Sequence, residues 1–208
     1  SDSYSLPNTV MKDNYLIYCS IYSTGKKKAG NEPIYAALGK ELDETVPTTS
    51  DGILTRNRAL LHYIATLAVS NSETDQFNYE FVQSLLDGGA NINEAVDTYG
   101  QTIFHEVARS WNLDVAAFLL KNGANIDQQD KYGRSPLHVC AAADHADMVE
   151  FLIQKGADID SRSTGDGQTP LHFAAKNDAM LSLKALLGFG ANIDSLDNRG
   201  RPPLQVKV

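Results

Sequence analysis

Apolar residues recur along the chain at helical spacing, in short segments separated by polar, glycine-containing stretches. The two clearest sets are Val115, Phe118, Leu119 and Met148, Phe151, Leu152. Positions i, i+3 and i+4 lie on one face of an α-helix, so each set predicts an amphipathic helix with one buried side. The spacing between equivalent positions of the two sets is 33 residues. The pattern therefore predicts a series of similar helical units.

Two short motifs mark the repeating unit. A tetrapeptide ending in histidine occurs at Ala59–His62, Thr102–His105, Ser135–His138 and Thr169–His172. Its histidines lie 43, 33 and 34 residues apart. A Gly-Ala-Asn/Asp-Ile motif begins at Gly89, Gly123, Gly156 and Gly190, with spacings of 34, 33 and 34 residues. Two markers that share one period indicate an internal repeat, which decides the fold before any other feature.

The ends of the predicted helices carry suitable residues. Ser135 and Thr169 are favourable N-caps, and a proline follows each of them where a helix tolerates a missing N–H. Glycine at the end of the second helix predicts a left-handed terminating residue at Gly123, Gly156 and Gly190. Each repeat therefore reads as a helix, a second helix and a polar turn, called a finger below. The finger glycines are Gly100, Gly133, Gly167 and Gly200.

The Thr-Pro-Leu-His motif at this period resembles the ankyrin repeat, from about residue 51 to the end of the chain. The resemblance implies an all-α solenoid of helix-turn-helix units with β-turn fingers, each repeat burying its apolar surface against its neighbours. It divides the chain into repeats at 51–96, 97–129, 130–163 and 164–196 and a partial fifth repeat at 197–208. Residues 1–50 are predicted to form an irregular N-terminal cap, with a flexible leader as the alternative.

The first repeat departs from this pattern. Its histidine and glycine markers are 27 residues apart, against 18 in the next three repeats. Nine extra residues around Val69–Asn78 are therefore expected between its helices as a solvated loop or a helix extension. Trp111 stands in the interhelical turn, where positive φ is common, and Asp144 and Asp178 occupy equivalent places and tolerate that φ better. We expect Trp111 to pack against Phe77; a protein-binding anchor is the alternative.

Composition restricts the function. The chain has 208 residues and a formal net charge of −8, which argues against general affinity for nucleic acid or anionic membranes. No apolar run approaches the ~20 residues of a membrane span. Cys140 is expected to be a small core residue, and the location to be cytoplasmic, with the nucleus as the alternative. Because the chain starts without methionine and stops inside a repeat, we expect a segment of a larger protein.

The candidate chemistry is weak. The four histidines of the tetrapeptides stand in repeat register, and the resemblance implies that such a histidine forms hydrogen bonds within and between repeats. His145 matches a second histidine of the family and is expected to be structural as well. Neither a zinc-type cysteine–histidine spacing nor a phosphate-binding glycine loop occurs. We expect no enzyme activity, no cofactor and no metal.

What remains is a surface. The resemblance implies a concave ligand face formed by finger tips and the exposed side of the first helices. Carried over by position, the candidate protein-binding residues are Tyr99, Gln101, Arg109, Trp111, Lys131, Tyr132, Arg134, Lys176, Arg199 and Arg201. Ala142, Ala143 and Asn177 fall on the same face. Tyr and Arg dominate interface energetics, and the basic residues predict a strip that prefers an acidic protein segment. The alternative is that the finger tips are merely solvated.

The predicted function is a non-catalytic protein–protein interaction module or scaffold, excised from a larger intracellular protein. Its partner is expected to be another protein, bound on the concave face through an acidic segment, without direct contact to nucleic acid or membrane. Two alternatives rest on fold analogy alone. One is a cytosolic ankyrin assembly domain of an ion channel of the transient receptor potential type. The other is a regulatory ankyrin domain of a transcription or signalling protein.

Overall fold

The computed structural model describes residues 79–95, 99–110 and 112–206. Contacts divide the chain into two compact units, Ser1–Asn91 and Ile92–Val208. Several sequence-based expectations lie outside the described residues. These are the cap at 1–50, the insertion around 69–78, the contact of Trp111 with Phe77, and the hydrogen bonds of His62. The domain and repeat boundaries remain predictions.

In the first unit, the described residues form one helix, α1 (Tyr79–Asp87). Its buried side chains include Val82 and Leu85, at the i, i+3 spacing of one helical face. The helix ends at a left-handed glycine, Gly89, with φ of 100°. The backbone N–H of Ala90 then donates to the carbonyl of Leu85 at 3.0 Å, which satisfies one of the last carbonyls of the helix.

The second unit is a stack of three helical hairpins. Its helices are α2 (Ile103–Ser110), α3 (Leu113–Lys121), α4 (Pro136–Ala142), α5 (Ala146–Gln154), α6 (Pro170–Lys176) and α7 (Met180–Gly188), followed by a 3₁₀ turn at Pro203–Gln205. The first helices of the hairpins, α2, α4 and α6, pack side by side in one layer, and α3, α5 and α7 pack in the other. All elements in the described part of the chain are helical. The predicted all-α solenoid of helix-turn-helix units is confirmed.

The starts of the first helices follow the sequence prediction. Ser135 and Thr169 are the N-caps of α4 and α6, and a proline follows each of them in the first turn. Each cap forms a reciprocal pair with the histidine three residues later. In α4 the Ser135 hydroxyl accepts from the backbone N–H of His138, while Nδ1 of His138 accepts from the backbone N–H of Ser135 at 3.1 Å. This arrangement satisfies two N–H groups that a helix start leaves without intrahelical partners.

The turns after the hairpins and within them also match expectation. Gly123, Gly156 and Gly190 have φ of 93°, 97° and 89°, and they end the second helices in the left-handed region. Asp144 and Asp178, in the interhelical turns, both have φ of 57°. The Asp144 carboxylate accepts the backbone N–H of Ser182 at 2.8 Å, so this turn caps helix α7 of the following hairpin.

Candidate protein-binding surface

Successive fingers are joined by one backbone hydrogen bond each. The N–H of Lys131 donates to the carbonyl of Tyr99 at 2.9 Å, and that of Thr164 donates to the carbonyl of Tyr132 at 2.8 Å. The last two fingers are joined in the same way, from Asn198 to Asp166 at 2.8 Å. These bonds fix the spacing of the fingers beside helices α2, α4 and α6. The surface made by the fingers and the exposed sides of these three helices is called the finger–helix face below.

A buried aspartate organises the finger of the second described hairpin. Asp130 accepts the backbone N–H groups of Tyr132 and Arg134, both at 2.9 Å, and Nε of Arg134 at 2.7 Å. Gln101, in the preceding finger, donates its side-chain N–H at 3.4 Å to Oδ2 of Asp130, the oxygen that also accepts from Nε of Arg134. Burial alone would raise the pKa of Asp130, but these hydrogen bonds and the charge of Arg134 lower it below the ordinary value of 3.8.

Asp197 repeats this arrangement in the last finger. It accepts the backbone N–H groups of Arg199 and Arg201 at 2.9 Å, and Nη2 of Arg201 at 2.9 Å. Gln168 of the preceding finger donates to it at 3.4 Å. Burial again opposes ionisation, yet the hydrogen bonds and the Arg201 side chain hold the pKa of Asp197 far below its ordinary value. Both carboxylates therefore stay ionised and keep their arginines in place.

The basic strip that the sequence suggests is weaker than a count of its cations implies. Arg134 and Arg201 pair with aspartates of their own fingers, and Arg109 pairs with Glu106 on the same helix. The physical reason is spacing. Glu106 and Arg109 lie one turn apart on α2, and in each finger a backbone hydrogen bond from the aspartate N–H to the arginine carbonyl closes the turn and brings the two side chains together. Among the described residues, no carboxylate pairs with the three other predicted cations. Those three are Lys131, Lys176 and Arg199, and all are exposed.

An exposed aromatic pair lies on two neighbouring fingers. The ring centroids of Tyr99 and Tyr132 are 6.3 Å apart, with an interplanar angle of 40°. The two residues are 53% and 52% exposed, although their rings contact each other. The guanidinium carbon of Arg134 lies 5.1 Å from the Tyr132 centroid, within the range of a cation–π contact. Asp130 and Tyr132 thus hold Arg134 from two sides.

A groove of 410 Å³ crosses the three first helices beside this pair. It is lined by Gln101, Arg109, Arg134, His138, Val139, Ala142, Ala143, Phe173, Lys176 and Asn177. The middle helix, α4, contributes Val139 and Ala142 beside His138, and its C-cap residue Ala143 also lines the groove. The three apolar residues Val139, Ala142 and Ala143 are called the apolar floor below. The lining contains three cations and no carboxylate. Glu106 and Asp130, which pair with Arg109 and Arg134, are not among the lining residues.

The structure brings four of the predicted site residues into this groove, namely Gln101, Arg109, Arg134 and Lys176. Ala142, Ala143 and Asn177, assigned to the same face, join them. Tyr99, Lys131 and Tyr132 lie on the fingers next to the groove, and Arg199 and Arg201 belong to the last finger and do not line it. Trp111 lies outside the described residues.

Three lining residues were not among those predicted for this face: His138, which was expected to be structural, and Val139 and Phe173. Val139 and Phe173 each directly follow the histidine of the repeat motif. That position faces the groove, although Val139 is buried and Phe173 is half-buried, whereas the predicted helix residues lay only at the ends of these helices. In α2 the same position holds Glu106. The register of the repeat was therefore a sufficient signal for finding both residues.

The motif histidines are structural links between hairpins. Nε2 of His105, His138 and His172 contacts the carbonyl oxygens of Arg134, Gln168 and Arg201 at 2.8, 2.9 and 2.9 Å. In each ring Nδ1 accepts from the backbone N–H of the residue three positions earlier. The predicted hydrogen bonding within and between repeats is confirmed for these three. His145 also contacts the preceding hairpin, since its Nδ1 lies 3.3 Å from the carbonyl of Ala108.

Other candidate chemistry can be placed as well. Cys140 is a free, fully buried thiol, and burial raises its pKa above the ordinary value of 9.0, as expected of a core residue. In the described parts of the chain, no group of three or more His, Cys, Asp and Glu side chains is arranged to hold a metal ion. None of the helices described there has the length and apolar character that crossing a bilayer requires.

Family models agree with this architecture. A model described as ankyrin repeats, three copies, matches residues 61–163, and a single ankyrin repeat matches residues 166–198. A comparison with curated proteins finds no match. Ankyrin repeats are generally protein–protein interaction modules. With its matched repeats, its capped helical hairpins and its linked fingers, this chain belongs to the ankyrin-repeat family.

Proposed function

We propose that this chain is a non-catalytic module that binds a partner protein on its finger–helix face. The groove over α4 carries the proposal, because it is a concave site flanked by exposed aromatic side chains. The groove is half open and has a volume of 410 Å³. That space accommodates a few side chains of a partner, and the remaining contact area would come from the fingers.

The chemistry of the finger–helix face supports the same proposal. Tyr99 and Tyr132 are exposed, half-buried Arg134 packs on Tyr132, and Tyr and Arg are enriched among the residues that dominate binding energy. Arg134 is already fixed by Asp130, so little side-chain freedom would be lost when it contacts a partner. The module would act in the cytoplasm.

A pair of tryptophan substitutions tests the proposal. Ala143 lines the groove and is exposed, and Ala117 is an exposed alanine on α3, outside it. Peptides selected from a random display library on the unmodified protein should lose binding to Ala143→Trp and retain it with Ala117→Trp. Urea unfolding of both variants checks that the fold is intact. Selected peptides that bind both variants equally would place the interaction elsewhere and refute the proposal.

A further inference from the structure

The cations of the groove differ in how far the protein already uses them. Both terminal nitrogens of Arg109 are engaged, Nη1 with Glu106 and Nη2 with the side-chain oxygen of Gln101 at 3.0 Å. Arg134 uses Nε for Asp130, and its two terminal nitrogens form no hydrogen bond within the described part of the chain. The ammonium of Lys176 lies 5.9 Å from the Phe173 ring centroid and has no carboxylate partner there.

The position of Lys176 in the repeat explains why it has no such partner. Arg109 and Lys176 occupy the same place on α2 and α6, four residues after the motif histidine. On α2 the residue three positions earlier is Glu106, which pairs with Arg109. On α6 that residue is Phe173, which offers only its ring face. The same substitution thus removes a competing carboxylate and adds apolar surface to the groove.

The surroundings favour a short segment over a long polyanion. The protein as a whole carries a net charge of −8, which repels an extended chain of phosphates. Screening confines the attraction of exposed cations to about 8 Å at physiological ionic strength, a distance that a single carboxylate can reach. The side chains of Val139, Ala142 and Ala143 offer neither charge nor hydrogen-bond donors to a phosphate, whereas an aliphatic side chain can pack against them.

We infer that the groove recognises a short acidic–apolar protein segment. An aliphatic side chain of the segment lies on the floor formed by Val139, Ala142 and Ala143. An adjacent Asp or Glu carboxylate is bound by Lys176 and by the terminal nitrogens of Arg134. This inference rests on the proposed function and adds the chemistry of the partner to it.

The test uses peptides from the same random display library, resynthesised and titrated by fluorescence anisotropy. The selected peptides should carry an Asp or Glu beside a Leu, Val or Ile. Lys176→Glu should weaken their binding about tenfold or more, and raising the salt concentration should weaken it as well. Lys155→Glu is the matched control. Lys155 is exposed, ends a helix and lies 5.6 Å from the Phe151 ring centroid, but it is outside the groove. It should leave binding unchanged.

A charge exchange makes the test specific. Peptides whose acidic residue is replaced by Lys should bind the unmodified protein poorly and should regain affinity for Lys176→Glu. Equal effects of Lys176→Glu and Lys155→Glu would overturn the inference, as would selection of neutral or basic peptides. If such peptides still lose binding to Ala143→Trp, the proposed function stands and only the acidic–apolar specificity fails. If no selected peptide depends on Ala143, both fail.

Discussion

Acidification should destabilise this protein through His138, a ring that the structure holds neutral. Nδ1 accepts from the backbone N–H of Ser135 at 3.1 Å, so it cannot carry a proton, and Nε2 donates to the carbonyl of Gln168 at 2.9 Å. Burial lowers the pKa from 6.5 to about 4, although the Gln168 hydrogen bond and the nearby Asp130 and Asp158 oppose the shift. The positive charge of Arg134 lowers the pKa of His138 further.

The size of the effect follows from linkage between protonation and folding. Because the folded pKa is below the unfolded value, the unfolded chain takes up the proton first as the pH falls. The stabilisation is complete above about pH 6.5 and is lost progressively as the pH falls through about 4. A shift of this size corresponds to about 3 kcal/mol in total, of which about 2 kcal/mol should be lost between pH 7.5 and pH 5.

Urea unfolding at pH 7.5 and pH 5 measures this loss. Both values lie above the ordinary pKa of aspartate, so the depressed carboxylates of Asp130 and Asp197 contribute little in this window. His138→Gln provides the control, because the partial fifth repeat already has Gln205 in this register. The free energy of unfolding should fall about 2 kcal/mol more for the unmodified protein than for the variant. Equal pH sensitivity, or a folded-state titration of His138 near pH 6.5 by NMR, would refute the reasoning.

Three further predictions concern single residues. Gly133→Ala should lower the free energy of unfolding by about 2–3 kcal/mol, because φ is +73° and a Cβ there would lie 2.3 Å from the backbone nitrogen of Thr164. Gly123→Ala, with φ of +93° and no neighbour within 4 Å, should cost only about 1 kcal/mol, and equal losses would mean that the finger contact is irrelevant. Thr169→Ala should cost about 1 kcal/mol through the lost cap, and an unchanged urea midpoint would contradict this. Cys140 should react with iodoacetamide only after unfolding; labelling of the folded protein, read by peptide mass spectrometry, would contradict its burial.

The features that were predictable from sequence depend on a few adjacent residues. Ser135 caps α4 and Gly123 ends α3 because local backbone preferences and short-range hydrogen bonds decide both. The positive φ of Asp144 follows from the same kind of argument. The groove is different, since it requires α2, α4 and α6 to pack side by side so that Ala142 and Ala143 form a low floor between longer side chains. That depth depends on tertiary packing, which no local pattern contains.

The pairing of Arg134 and Arg201 with aspartates was predictable from the sequence only in part. The sequence Asp-x-x-Gly-Arg occurs at Asp130–Arg134 and again at Asp197–Arg201, so the partners are visible four residues apart. The sequence does not reveal that each aspartate is buried and accepts a hydrogen bond from a glutamine of the preceding finger. An exposed ion pair contributes little to stability, whereas removing one partner of a buried pair leaves an uncompensated buried charge, so each finger depends on its aspartate–arginine pair.

This distinction decides which substitutions can report on binding. A charge reversal at Arg134 would place a carboxylate beside buried Asp130, so loss of the finger and loss of a partner contact could not be separated. Lys176 has no such role, because the described structure gives it only the ring of Phe173. The finger arginines therefore hold the surface in place. On the acidic–apolar inference, Phe173 and Lys176 would set the selectivity of the groove. Substitutions at those two positions should therefore weaken the binding of a partner that is selective for this module more than substitutions at exposed finger residues do.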